Sequence, residues 1–394
     1  MTLLKAVAHQ SAPVSPMEGW LEAPLNRKAF SNVPQILKTA RIKAGKTVSD
    51  LNRNFRDISN LPCLTITQEE VWTIDRFLAE TYTDGFMVLR GGEVIYERYF
   101  GHMDASTQHI AMSVSKSFCG MLAGCLVADG RLDLDAATQS YVPELASTPY
   151  GSATVQHLLD MAVSLNFSME YANPVSEVQT EDRCAGWRAA RPGDPANSRS
   201  FLSRLTGENG NGQVFQYCSA TTDVLSWVLE RAAKTPFAQL GSELIWSRLG
   251  AEADAFITID SAATPYACAG MGMTLADLMR FGRLVRDGGV HLGQQIIPKS
   301  WIDDTRKGGH LAIPDHRHFG LQERTGSYRN QWWITDDDHG SFYAIGINGQ
   351  YLWIDPVEDV VIAKFSSEPA AEARGDEHSQ AFRAIASIVG SISQ

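Results

Sequence analysis

Ser113-Val114-Ser115-Lys116 sets a hydroxyl three residues before a lysine, and no other lysine in the chain has a serine in that position. On a helix, positions i and i+3 share a face, so the Ser113 hydroxyl and the Lys116 amine can meet within hydrogen-bond reach. Serine is a weak nucleophile at its free pKa. A lysine that is desolvated, or held near another cation, can lose its proton and accept the serine's. The pair could therefore start hydrolysis through an acyl-enzyme, the alternative being a chance four-letter match on a solvated helix turn.

The stretch 117–127 is apolar on nearly every face, and Ala128-Asp129-Gly130 supplies a stop, which predicts a buried helix. A lysine in the first turn of such a helix needs compensation, because an unpaired ammonium in apolar surroundings is costly. At the same helix end, free backbone N–H groups favour an oxyanion. Tyr217-Cys218-Ser219 offers a tyrosine that could pass protons if it stands beside the lysine. Gly346-Ile347-Asn348-Gly349 ends a predicted strand, where glycine permits close approach of backbone to ligand, or simply a bulge or turn.

Several elements must position these groups. Phe86–Arg90 and Glu93–Tyr99 around Gly91-Gly92 read as a β-hairpin. Helical patterns cover 155–161, 222–231, 238–249 and, after a capping Thr274-x-x-Asp277, a segment to Val285. The polar region 173–212 reads as a long loop, which in compact domains is functional or disordered. Strands are expected over 331–334, 342–347, 351–355 and 360–365, closed by a helix over 377–392. The expected fold is α/β (α+β), an antiparallel sheet flanked by helices with an inserted all-α domain: an arm over 1–24, an α/β domain from 25–145 with 262–394, and a helical domain over 146–261.

Composition limits the partners. A chain of 394 residues with 44% hydrophobic and 20% charged residues can bury a substantial core. A net charge of −11 argues against nucleic acid or anionic membrane as the main partner. The basic patch Lys38–Arg56 reads as a solvated face. No apolar run is long enough to span a bilayer, and the first ten residues lack the form of a secretory signal, so a cytoplasmic protein is expected. The six cysteines show no Cys-x-x-Cys pair and read as buried thiols. His316-Arg317-His318 lacks an obvious third ligand, and neither metal nor cofactor is expected.

Ser-x-x-Lys, then Tyr-x-Ser about a hundred residues on, then a glycine-bearing strand near the C-terminus resembles the penicillin-recognising serine hydrolases: class C β-lactamases, D,D-peptidases and related esterases. Within them the chain is most similar to the 6-aminohexanoate-dimer (nylon-oligomer) hydrolases, through Met112–Ser117, Ser176–Thr180 with Asp182-Arg183, Ala185-Gly186-Trp187-Arg188, Phe215–Ala220 and Gln331-Trp332-Trp333. The resemblance implies a serine β-lactamase/penicillin-binding-protein-like fold. It assigns the nucleophile to Ser113, the general base to Lys116, proton relay to Tyr217, and the oxyanion hole to the N–H groups of Ser113 and Ile347. It also implies that Tyr171 covers the cleft, that Asp182 holds a substrate ammonium, and that Trp187 and Trp333 line the acyl groove. Cys268 falls where a polar side chain of the family helps orient substrate. The strand reads Ala344-Ile345-Gly346-Ile347 rather than Lys-Thr-Gly or His-Thr-Gly; the missing cation argues against β-lactamase activity.

The leading expectation is a serine hydrolase that cleaves short linear amides and carboxylic esters, with a homodimer suggested by the relatives. A carboxylesterase without amide-dimer activity and a catalytically silent ligand-binding protein are the alternatives. Ser113, Lys116 and Tyr217 are all present, which argues against silence, and no Gly-x-Ser-x-Gly elbow or His-Glu-x-x-His helix offers another hydrolase chemistry.

Overall fold

The hairpin forms as its turn requires: Gly91 and Gly92 have φ of 58° and 85°, the left-handed values a two-residue turn needs. In the computed structural model, which describes residues 18–390 except 68–69, 209, 314–325, 336, 372–380, 383 and 388, its strands are Thr83–Arg90 and Glu93–Tyr99. The C-terminal strands Ser327–Arg329, Trp332–Ile334, Phe342–Gly346, Gln350–Asp355 and Val360–Ser366 follow in antiparallel order. The last of them pairs with the hairpin, Ile362 opposite Val88, so the two ends of the chain close one seven-stranded sheet. A second antiparallel sheet joins Thr39–Ile42, Ala255–Thr258, Met271–Thr274 and Gln108–Ile110.

Two stretches differ from expectation. Ala255–Thr258, placed in the helical region by its sequence position, is a buried strand paired with Thr39–Ile42 and Met271–Thr274. Within 173–212, Glu177–Cys184 and Ser198–Leu202 are helices rather than loop. The first begins at Ser176, whose hydroxyl accepts from the Gln179 N–H. It looks polar in sequence, yet buries Gln179, Glu181, Asp182 and Arg183, because its ion pairs and hydrogen bonds form only in the fold. His316-Arg317-His318 and residues 1–17 of the arm lie outside the described residues, as do the ends of the final helix.

The helix Val114–Ala128 packs between the seven-stranded sheet and the helix Ser219–Ala233 and is buried along all but its last turn. It stops at Gly130, φ 68°, where the Arg131 N–H donates to the Leu126 carbonyl. Its glycines let it lie against neighbours: a Cβ at Gly120 would run into the Asn330 carbonyl oxygen. That turn is pinned to the same helix, since Ser117 Oγ donates to the Gln331 carbonyl at 2.8 Å. All six cysteines are free and buried.

Gly120→Ala should therefore destabilise the protein although alanine favours helix. The propensity gain is at most ~1 kcal/mol, whereas forcing the helix off a backbone carbonyl costs about 1–3 kcal/mol. A lowered denaturant midpoint at unchanged m-value is expected; a raised midpoint would refute the tight contact.

Candidate active site

Ser113 stands at the N-terminus of the Val114–Ala128 helix with its hydroxyl released from capping. Met112 before it has φ 47°, a left-handed conformation unusual for a side chain of this size, which bends the chain sharply from strand Gln108–Ile110 into the helix. The bend is held from both sides: Ala111 N–H donates to the Met271 carbonyl at 2.8 Å, and Ser115 Oγ to the Met112 carbonyl at 2.6 Å. Strand Phe342–Gly346 approaches so closely that a Cβ on Gly346 would lie 3.0 Å from the Ser113 nitrogen. Ile347, the next residue, lines the same cavity as Ser113.

Lys116 is 1% exposed, and its Nζ donates to Ser113 Oγ at 2.8 Å, Ser219 Oγ at 3.3 Å and the Cys268 carbonyl at 2.9 Å. Nζ also lies 5.1 Å from the Tyr217 ring centroid. Burial pushes this amine toward its neutral form, but Tyr217, Cys268, Asp223 and Glu181 pull the other way, and the net direction is upward. The expectation of a lysine with depressed pKa is thus corrected. The desolvation expected of a buried helix is present; acidic neighbours from distant segments, invisible in the local motif, outweigh it.

A cavity of about 640 Å³ opens over Ser113 and is lined also by Tyr171, Asp182, Trp187, Ser219 and Ile347. Asp182 is nearly fully buried. Its carboxylate accepts from Arg188 Nε at 3.0 Å and from the Tyr266 hydroxyl at 2.9 Å. Burial raises its pKa, with Arg188 and Tyr266 acting in opposition. Trp187 donates from Nε1 to Thr258 Oγ1 at 2.9 Å, and Trp20 of the N-terminal arm packs edge-on against it, 5.1 Å between centroids. Tyr171 is half-buried, its backbone carbonyl bound by Gln179 Nε2. Its phenol pKa is raised, chiefly by burial.

Two expected residues stand elsewhere. Trp333 is buried 5.3 Å from the Tyr217 ring, together with Phe215 and Tyr328, so it backs the tyrosine rather than the acyl groove. Cys268 is fully buried; its backbone makes the contacts, the carbonyl with Lys116 and the N–H with Asp223 Oδ1 at 2.9 Å. Sequence reasoning missed Tyr266 and Arg188 as partners of Asp182, and nothing in their local sequence signals it. It passed over Ser219 as a lysine partner, although Tyr217-Cys218-Ser219 contained it. Among the described residues no group of three or more His, Cys, Asp or Glu side chains could hold a metal, and no helix is long and apolar enough to cross a membrane.

The beta-lactamase family pattern matches residues 73–385. The chain belongs to this family. It is 39% identical over 358 residues to the 6-aminohexanoate-dimer hydrolase of Paenarthrobacter ureafaciens, covering 91% of this chain and 89% of that protein. A solved Bacillus anthracis structure, provisionally named a 6-aminohexanoate-dimer hydrolase, superposes with a TM-score of 0.86 at 26% identity, covering 97% and 98% of the two chains. The fold is also shared by EstCE1, a hydrolase with promiscuous acyltransferase activity, at a TM-score of 0.63 and 17% identity over 79% of this chain and 96% of that one. The mixed α/β architecture with antiparallel sheets is that of the family.

The site geometry carries a direct test. A phosphonate or sulfonyl fluoride should modify the wild-type protein at Ser113, and Lys116→Met should slow that modification by on the order of 10²-fold or more. Intact and peptide mass spectrometry read both; an adduct on Ser115 or Ser117, or equal rates, would displace the pair.

Proposed function

We propose that the protein is a serine hydrolase working through an acyl-enzyme on linear amides of the 6-aminohexanoate-dimer type and on short-chain carboxylic esters. The observation that carries this reading is the 2.8 Å contact between Lys116 Nζ and Ser113 Oγ at the base of an open cavity. The 39% identity to the dimer hydrolase supports the substrate class.

Ser113 Oγ attacks the carbonyl carbon, and its proton passes to the Lys116–Tyr217 pair. The same pair returns a proton to the leaving amine or alcohol, and water then cleaves the ester formed on Ser113. The N–H groups of Ser113 and Ile347 converge where the carbonyl oxygen becomes negative, the point at which such donors are worth most. The Asp182 side of the cavity receives the substrate's ammonium, and Tyr171 and Trp187 flank the chain between.

One observation favours the esterase-only reading: Asp182 already shares its charge with Arg188, and an ester lacking an ammonium has no need of it. Comparing kcat/KM for the linear 6-aminohexanoate dimer and a p-nitrophenyl acyl ester separates the two.

Ser113→Ala should abolish both activities; a loss of less than about tenfold, roughly 1.4 kcal/mol of barrier, would exclude Ser113 as nucleophile. Asp182→Asn should lower kcat/KM for the dimer by on the order of tenfold, the weak end of a charge-assisted hydrogen bond because Arg188 already draws on the carboxylate. The ester should be nearly unaffected. Equal losses on both substrates would leave the esterase reading standing.

A further inference from the structure

Behind Lys116, on the side away from the cavity, two carboxyl groups are buried that the mechanism above does not use. Asp223 lies one turn after Ser219 on the helix Ser219–Ala233, so one face presents both. Ser219 Oγ accepts directly from Lys116, and Asp223 Oδ1 accepts from the Cys268 N–H at 2.9 Å, while the carbonyl of Cys268 accepts from Lys116 at 2.9 Å. Glu181 comes from the helix Glu177–Cys184, which packs on the Ser219 helix, and its carboxyl faces that of Asp223. Both residues are at most 2% exposed.

Glu181 Oε1, Glu181 Oε2 and Asp223 Oδ2 are all buried and, among the described residues, accept no hydrogen bond of good geometry, although the Ala267 N–H and the Cys268 thiol lie near the Asp223 carboxylate. Two ionised carboxylates only accept, so side by side they would repel and leave these oxygens unsatisfied. One proton between them changes both facts: one carboxyl donates to the other, and a single negative charge remains. Burial acts in that direction on both carboxyls, and the Asp223 charge raises Glu181 further.

We propose that Glu181 and Asp223 share one proton and act as a single buried anion, a positioning pair that keeps Lys116 charged and clamps the Cys268 carbonyl onto it. This rests on the Ser113–Lys116 reading. The groups facing the pair are Lys116 and Cys119 from the nucleophile helix, Asp182 and Cys184 beside Glu181, and Cys218 at the start of the Ser219 helix. Tyr150, Tyr266 and Cys268 complete the shell, and Lys116 is the cation among them. If the pair served packing alone, any substitution in it would weaken the site, the more so the more it changed the shape of the side chain. A shared proton predicts a different pattern.

In Asp223→Asn the new amide donates to Glu181, which then carries the charge; in Glu181→Gln the charge moves to Asp223. Each single variant keeps one anion and one hydrogen bond, so ester kcat/KM should stay within about threefold of wild type and the limb of the pH profile that reports Lys116 should stay in place. Glu181→Gln/Asp223→Asn removes the anion altogether. That limb should then move to lower pH by about one to three units, the size of an opposite charge lost at close range. A limb that moves as far in either single variant, or that stays fixed in the double variant, overturns the proposal. Infrared difference spectra read the proton without catalysis, and without needing the double variant to fold. Wild type minus either single variant should show a neutral carboxyl band, and its absence from both differences would show that no proton is shared. Because that spectrum is independent of turnover, a protein that hydrolyses neither substrate would sink the functional reading while the shared proton was still judged.

Discussion

A buried lysine organises this molecule. Lys116 sits in the first turn of a helix whose other residues are nearly all apolar, and removing such a charge from water costs several kcal/mol unless hydrogen bonds and opposite charge replace the solvent. The replacement comes from far along the chain: a hydroxyl at 219, a carbonyl at 268 and carboxyls at 181 and 223. None of these lies in the helix that carries the lysine. The requirement therefore reaches beyond the reacting atoms and ties the helices of the middle of the chain to the floor of the cavity.

Close packing of backbone supplies the second constraint. The helix Val114–Ala128 can lie against the turn at Asn330 because residue 120 is glycine, and the strand Phe342–Gly346 can reach the Ser113 nitrogen because residue 346 is glycine. Both contacts come from the same part of the seven-stranded sheet, the turn between Ser327–Arg329 and Trp332–Ile334 and the end of Phe342–Gly346. Any rotation of that strand against the helix would separate Ile347 from Ser113.

At the cavity the charges are shared out rather than left free. Asp182 is held by Arg188 and Tyr266, and Tyr266 packs against Trp187, which in turn is covered by Trp20 of the N-terminal arm. A chain of aromatic contacts thus connects Trp20 to Asp182 at the cavity wall.

The sequence by itself determined the elements whose causes are local. The two-glycine hairpin, the all-apolar helix, the Thr274 cap and the alternating C-terminal strands were legible because turn chemistry and periodicity act over a few residues. The Ser113–Lys116 contact was legible for the same reason, being a single helix turn. Tyr171, Asp182 and Trp187 were found through resemblance, and their spacing alone would not have marked them. Tertiary structure decided what depends on groups brought from elsewhere: the helix at Glu177–Cys184, polar in sequence and buried in the fold; the withdrawal of Trp333 behind Tyr217; the engagement of Asp182 by Arg188 and Tyr266; and the groups that surround Lys116. Local periodicity carries no record of which carboxylates will surround a lysine. Desolvation can be inferred from a helix pattern, whereas the compensating charge exists only once distant segments have packed.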